Sequence, residues 1–457
     1  MGMTQGSGLS GGARAKAGQT GAVRVLGPVA GLIAALTLGG CVSGGGEGAV
    51  SRMLMPDRDP LPQGLGAGDA AETTPILRDL QSRRSVLAQG SAYGLVAAAV
   101  LAADSRAAEA ELRSARLRAR AQSRNWLPSV GPQVSLSSLG SVIAMLAVEQ
   151  VLFDNGRKQA ERDFAKADVE VAAVALSQDG NARVLTGLTL YLAAQEARDK
   201  AGLAQAAARD MGRFEWIMAE RVAGGISDGS DLQELRQKLA EIRATEQTEI
   251  EAARAAQAEL AAMAERLPDP AAGDPALVML PPARPPPLSV RLAEAEETRA
   301  VARARIDRAG FLPSLTASAA VGRGAPDPSV QIRPDRPLGF GIGDEMRAIE
   351  AATEGARRKV AQAREEASRR LARLEQEQAA LLRQAAEAAV LAARAKANLD
   401  LFQAQYDAGQ RQVMDVVGLY EQFARQQQAA ATLRYRAALT EVQIAARLGL
   451  LADGDRL

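Results

Sequence analysis

Trp126-Leu127-Pro128 in the first half of the chain returns as Phe311-Leu312-Pro313 in the second, about 185 residues later. The echo continues downstream. Gly225 stands six positions before the acidic–apolar pair Asp231-Leu232, and Gly409 stands six before Asp415-Val416. Motifs that repeat in order with matched spacing mark a duplicated architectural unit. Each unit reads as a Pro-opened extended hairpin, a very long helix, a glycine turn and a return helix. Such a unit builds a wall or a tube more readily than a catalytic pocket.

The helices are the largest features. From Gly156 to about Val222 there is no proline, and at ~1.5 Å per residue this run would extend roughly 100 Å. Glu345 to Tyr406 is its counterpart. Leu185, Leu188 and Leu192 follow a 3-4 spacing, as do Leu439, Val442 and Ala446, which points to coiled-coil packing or a helical barrel. A plain intracellular coiled coil would show the same periodicity. Between the units, Leu267 to Leu288 holds Pro268, Pro270, Pro275, Pro281, Pro282 and Pro285 to Pro287, an irregular linker.

Four short stretches have the period-two alternation of strands. In Ser129 to Ser137, Val130, Val134 and Leu136 alternate with Ser129, Gln133, Ser135 and Ser137. Val142 to Phe153 carries Val142, Ala144, Leu146 and Val148 on one face. Leu315, Ala317, Ala319 and Val321 alternate with Ser314, Thr316 and Ser318. For the fourth strand, Leu338, Phe340 and Ile342 alternate with Gly339, Gly341 and Gly343, which leaves Arg323 to Arg336, with Pro326, Pro328 and Pro334, as a loop. An apolar outward face with a polar inward face is the pattern of an outer-membrane barrel. Half-buried strands of soluble sheets look alike one at a time. If the four strands span a membrane, several copies must share one barrel, because an open edge in lipid leaves backbone groups unpaired.

Composition narrows the function. The 457 residues contain no histidine and one cysteine, so the commonest general base and transition-metal ligand are missing and no Ser-His or Cys-His constellation can form. Carboxylate or lysine chemistry stays open, but no two acids are seen to converge, and the chain is not expected to be an enzyme. Fifty-five basic residues face 54 acidic ones, interleaved along the helices as on solvated faces, and no basic stripe calls for nucleic acid. Aromatics make up 3% of the chain, as expected if Ala-rich helices pack closely.

The N-terminus reads as an address. Arg14, Lys16 and Arg24 precede the apolar stretch Val25 to Leu38, a run of secretory-signal length. It ends in Leu38-Gly39-Gly40-Cys41, which resembles the lipobox of bacterial lipoproteins, where the signal is cleaved before an acylated cysteine. The other reading is an incidental cysteine after an uncleaved segment. The lipoprotein reading makes a covalent lipid at Cys41 the only non-protein group expected, with no other cofactor and no metal. Val42 in the next position is compatible, in that family, with sorting to the outer membrane. Ser43-Gly44-Gly45-Gly46 then forms a flexible tether.

Gln150-Val151-Leu152-Phe153-Asp154-Asn155-Gly156-Arg157, Tyr406-Asp407-Ala408-Gly409-Gln410-Arg411 with Asp415, the two Leu-Pro strand openings and the closing Leu448-Gly449-Leu450 together resemble the TolC family of outer-membrane efflux and secretion channels, in its lipoprotein branch. The resemblance covers roughly residues 90 to 452. It implies a mainly α fold with a small transmembrane β part. Long antiparallel helical hairpins would form a periplasmic α-barrel, and four strands per protomer would contribute to a shared trimeric β-barrel. The implied function is the exit duct of a tripartite efflux or type I secretion system. It would act as a homotrimer in the outer membrane, fed by an inner-membrane pump or ABC transporter through a periplasmic adaptor. The corresponding divisions are a signal peptide (1–40), an acylated tether and lead-in (41–90), a first repeat (91–266), the linker (267–288), a second repeat (289–452) and a tail (453–457).

In that family the periplasmic entrance lies at the two helix turns. Gly225 and Gly409 suit the left-handed conformation that reverses a helix. Asp415 matches an acidic pore-facing position; three copies would make an anionic ring, while a carboxylate there would equally offset a helix dipole. A second acidic position found in some members is Gly418 here. Tyr406 and Arg411 match residues that contact the other turn, where Ser230 and Asp231 stand, so an Arg411–Asp231 pair assisted by Tyr406 is the expected latch. A routine surface pair is the alternative. A periplasmic helical-hairpin lipoprotein that scaffolds a pump without forming a pore is the rival to the duct.

Overall fold

A computed structural model describes residues 74–103, 107–136, 142–264, 278–321, 327–336 and 339–456. Cys41 with its tether, and the first half of the proline-rich linker, lie outside them. The described elements are α1 (Pro75–Ser82), α2 (Ala92–Ala102), α3 (Ala107–Ser123), β1 (Ser129–Leu136), β2 (Val142–Phe153), α4 (Arg157–Ala223), α5 (Gly229–Ala262), α6 (Leu288–Ala309), β3 (Pro313–Val321), β4 (Asp327–Pro334), α7 (Ile342–Asp407) and α8 (Val413–Arg447). The order helix, strand, strand, long helix, shorter helix therefore occurs twice. With 67 and 66 residues, α4 and α7 are each about 100 Å long.

The four strands form one antiparallel sheet in the order β1-β2-β3-β4. Helices line up in the same order. Next to the sheet, α3 packs on α4, α4 on α6, and α6 on α7; toward the turns, α5 packs on α4, α4 on α8, and α8 on α7. The described residues thus form a row four elements wide from the sheet to the helix turns, with α4 and α7 running through both levels.

One expectation needs correcting. The fourth strand is Asp327–Pro334, inside the segment read as a loop, while Ile342 opens α7. Glycines at 339, 341 and 343 offer no side chains to pack across a strand and lose more freedom on ordering than other residues. Val330 and Ile332 alternate with Ser329, Gln331 and Arg333, and Pro328 and Pro334 are tolerated because β4 is an edge strand.

Among the described residues, three apolar cores hold the helices. The largest, midway along, joins α2, the middle of α4, the ends of α5 and α8, and Leu374 of α7 around Tyr435, Leu188 and Val442. A second lies toward the turns, around Met211, Leu235, Val416 and Val417. The third packs α1, α3 and α6 on α4 through Leu80, Leu112, Val174 and Ala295. Arginines fasten helix ends to this frame. Arg183 of α4 donates from Nε to Val100 O at 2.9 Å and from Nη2 to Met263 O at 3.1 Å, satisfying carbonyls at the ends of α2 and α5 that have no intrahelical partner. Buried Arg83 does the same for Leu448 O at 2.7 Å at the end of α8.

Candidate membrane face and periplasmic entrance

The sheet has two chemically distinct faces. Residues paired across an antiparallel ladder share a face, so the registers place Val130, Pro132 and Val134 of β1, Leu146 and Val148 of β2, Leu315, Ala317 and Ala319 of β3, and Pro328, Val330 and Ile332 of β4 on one side. Ser129, Gln133, Glu149, Ser314, Thr316, Ser318, Ser329, Gln331 and Arg333 occupy the other. The apolar face is bare in the protomer: Val330 is 66% and Ile332 74% exposed. At the end of the sheet that meets the helices, Trp126, Phe153 and Phe340 are all exposed as well.

The junction is built by the DNG motif. Asn155 and Gly156 both have positive φ, 54° and 82°, and the Asp154 carboxylate accepts from the Gly156 N–H at 3.1 Å and the Lys158 N–H at 2.7 Å, opening α4. Asn155 Nδ2 donates to Pro313 O at 2.8 Å and Gln150 Nε2 to Trp126 O at 2.9 Å, so the first motif binds both Leu-Pro openings. Arg157 pairs with Asp335 just past β4, and Arg336 with Asp307 of α6 at 2.9 Å.

At the far end, Gly225 (φ 71°) and Gly409 (φ 74°) reverse the chain. Each closes a Schellman cap: Ile226 N–H donates to Arg221 O at 2.8 Å, and Gln410 N–H to Gln405 O at 2.8 Å. Asp228 caps α5 by accepting from the Ser230 N–H at 3.1 Å, and that bond holds its carboxyl below the usual range. Asp231 lies in the first turn of α5 and Asp415 in the first turn of α8, where either carboxylate offsets the helix dipole.

The expected Arg411–Asp231 pair does not form within the protomer. Arg411 folds back along its own hairpin instead: Nε donates to Gln405 Oε1 at 3.1 Å, the guanidinium carbon lies 4.5 Å from the Phe402 ring centre, and Nη1 is 4.0 Å from Asp415 Oδ2. Two favourable surfaces one and two turns back along α7 outcompete a carboxylate across the gap. A cleft of about 720 Å³ between the turns is lined by Tyr406, Asp407, Gly409, Gln410, Arg411, Gln412 and Asp415 and, from the first turn, by Arg221. Asp231 and Ser230 do not line it. Arg221 had no motif to single it out in the sequence.

No family model matches the sequence, and no curated protein is recognisably similar to it. Solved structures are. The outer membrane protein VceC of Vibrio cholerae matches 79% of this chain and 98% of its own, with a TM-score of 0.66 at 17% identity. The outer-membrane channel OprN matches 85% and 98%, with a TM-score of 0.70 at 17% identity. The outer membrane channel CmeC of Campylobacter jejuni matches 79% and 86%, with a TM-score of 0.66 at 11% identity. The fold of this chain is accordingly the TolC-type fold of outer-membrane channels.

Proposed function

We propose that the chain is the outer-membrane exit duct of a tripartite efflux or type I secretion system, conducting substrates passively as a homotrimer. One observation carries the reading: sheet and helices share a single four-wide order that is open at both edges. Among the described residues, strands β1 and β4 each have an unpaired edge, and α7, an edge helix at both levels, exposes Leu382, Val390, Leu391 and Leu401. Head-to-tail association of one edge with the other closes a ring, and closure removes the sheet edges that lipid does not tolerate. The bare apolar face then meets the bilayer, the hydroxyl- and amide-rich face lines the lumen, and Trp126, Phe153 and Phe340 sit where an interfacial aromatic girdle belongs.

The helical tunnel would reach into the periplasm, with copies of Asp415 gathered near its entrance. A periplasmic adaptor and an inner-membrane pump or ABC transporter supply the cargo, and acylated Cys41 anchors the chain. Single-channel recording of the purified full-length protein in a planar bilayer, with its mass measured alongside, tests this. A discrete conductance from a trimer is expected. A monomer or dimer without conductance that still binds membranes would overturn the duct in favour of a periplasmic scaffold.

A further inference from the structure

We propose that an arginine stripe on α3 binds anionic phospholipid headgroups, in the membrane leaflet next to the helices and beside the point where the sheet enters it. The duct reading supplies the membrane. In a chain of nearly balanced charge, Leu112 to Val148 holds five arginines and no acid. Arg113, Arg116, Arg120 and Arg124 follow a 3-4-4 spacing, which puts them on one face of α3. Arg113, Arg120 and Arg124 are exposed and Arg116 is half-buried. Glu109, the acid of α3 on that face, stands at its far end, four residues before Arg113. Burial and the charge of Arg120 both push the Arg116 guanidinium below its usual range. Positive charge is crowded along the stripe, and an anion relieves it.

The direction of the stripe follows from Arg118, which lies roughly half a turn round the helix from it. Arg118 lines a groove with Arg157, Glu161 and Asp335, and those three also line a depression on the polar face of the sheet. The stripe is therefore on the side of the bare apolar face, the side given to lipid. Arg124 stands five residues before β1, and Arg113 lies about 16 Å farther from the sheet. A headgroup layer is about 5–7 Å deep. Arg124 and Arg120 reach it through their long side chains, while Arg116 and Arg113 sit below it, within range of its surface potential. A planar guanidinium matches the oxygens of a phosphate. A second copy fits the stripe less well. The helix that ring closure would bring toward α3 is α7, and three of its exposed acids, Asp344, Glu354 and Glu365, are already paired with Arg347, Arg358 and Arg369 of the same helix.

Trp126, exposed at the same junction, reports on the lipid beside it once Trp216→Phe removes the other tryptophan. The full-length Trp216→Phe protein is reconstituted in mixed phosphatidylcholine–phosphatidylglycerol vesicles with bromine on one lipid or the other, and its mass and conductance are measured alongside. Each arginine near the surface is worth a preference of about five-fold, so brominated phosphatidylglycerol should quench Trp126 well beyond its share of the lipid. Arg124→Gln should cut this excess, and Arg120→Gln with Arg124→Gln should remove it. Arg113→Gln, farther from the sheet, should lower it less, and Arg118→Gln, on the polar side, should leave it unchanged. Quenching by both lipids in proportion to their amounts overturns the lipid stripe and leaves the duct standing. So does an excess that survives the double variant, or one that Arg118→Gln removes as well. A trimer that falls apart in Arg124→Gln assigns the stripe to the neighbouring copy and likewise overturns it. An excess lost in the double variant, from a protein that does not conduct, keeps the stripe while the duct falls. Quenching by neither lipid overturns both.

Discussion

Glu170, in the middle of a proline-free helix, has nothing in its sequence neighbourhood to distinguish it from the solvated acids around it. The fold buries it on α4 against the third core and leaves Oε2 without a partner. Burial pushes its carboxyl up, and a hydrogen bond from Thr74 offsets this only in part. The folded state therefore holds a proton that the unfolded chain gives up near the ordinary glutamate value of about 4.3. Stability is lost as pH rises from there to the raised folded value, and is level above it. Glu170→Gln should melt higher than the parent at pH 7, with the gap shrinking toward pH 4; a gap independent of pH would refute the assignment. Asp79 has the opposite sign. Burial pushes it up, but hydrogen bonds and charge from Arg83 and Arg291 outweigh this and hold it below the carboxylate range. Its contribution is present above about pH 4 and fades as pH falls through the lowered value. Asp79→Asn leaves the buried Arg83 guanidinium short of its counter-charge, a loss of about 3–5 kcal/mol visible as a lower thermal midpoint at neutral pH. The Asp79–Arg83 pair is local, four residues apart, but its burial and the approach of Arg291 were not legible in sequence, because Arg291 reaches Asp79 only after α1 has docked on α6.

At the scale of elements, the sequence was most informative where one physical rule acted alone. The two long runs free of proline became α4 and α7, and the two 3-4 spacings fall in α4 and α8. Turn glycines followed by an acid six residues on lie at φ 71° and 74°, with open space where a β-carbon would be. Gly225→Ala and Gly409→Ala thus meet no steric clash, only the torsional cost of about 1–2 kcal/mol for a left-handed residue, and each should lower the melting temperature with little change in helix content. Legibility failed at β4, where two rules pointed opposite ways. The alternation Leu338-Gly339-Phe340-Gly341-Ile342 imitates a strand while supplying half of it with no side chains. The prolines at 328 and 334 imitate a loop, yet both fall on an edge strand. The corrected register sharpens a test by parity: Val330→Arg, on the bare face, should abolish stable insertion at about 2–4 kcal/mol if it sits near the bilayer midplane. Its neighbour Gln331→Arg, on the polar face, should insert normally. Equal behaviour of the two in a membrane flotation assay would mean that the sheet does not span.

At the scale of the whole molecule, the duplicated motifs announced a repeating unit, but how the units sit side by side depends on packing between helices hundreds of residues apart. The entrance shows the same limit: Arg221 shares the wall of a cleft with Asp407 and Asp415 only because α4 packs on α8 and α8 on α7. The chain has two tryptophans, Trp126 where the sheet meets the helices and Trp216 near the far turns, 61% and 65% exposed respectively. In vesicles of brominated lipid, the Trp216→Phe protein should be strongly quenched and the Trp126→Phe protein hardly at all; the reverse would put the wrong end in the membrane. The four-wide row also carries a genetic implication. Because its two edges differ and both come from one chain, a protomer with a ruined edge still recruits normal partners through the intact one. For the proposed trimer, equal expression of normal and damaged copies would leave only about one assembly in eight without a damaged member. An edge lesion in this protein should therefore behave as a dominant trait in a cell that also carries the sound gene, whereas a lesion confined to the lumen should dilute in proportion.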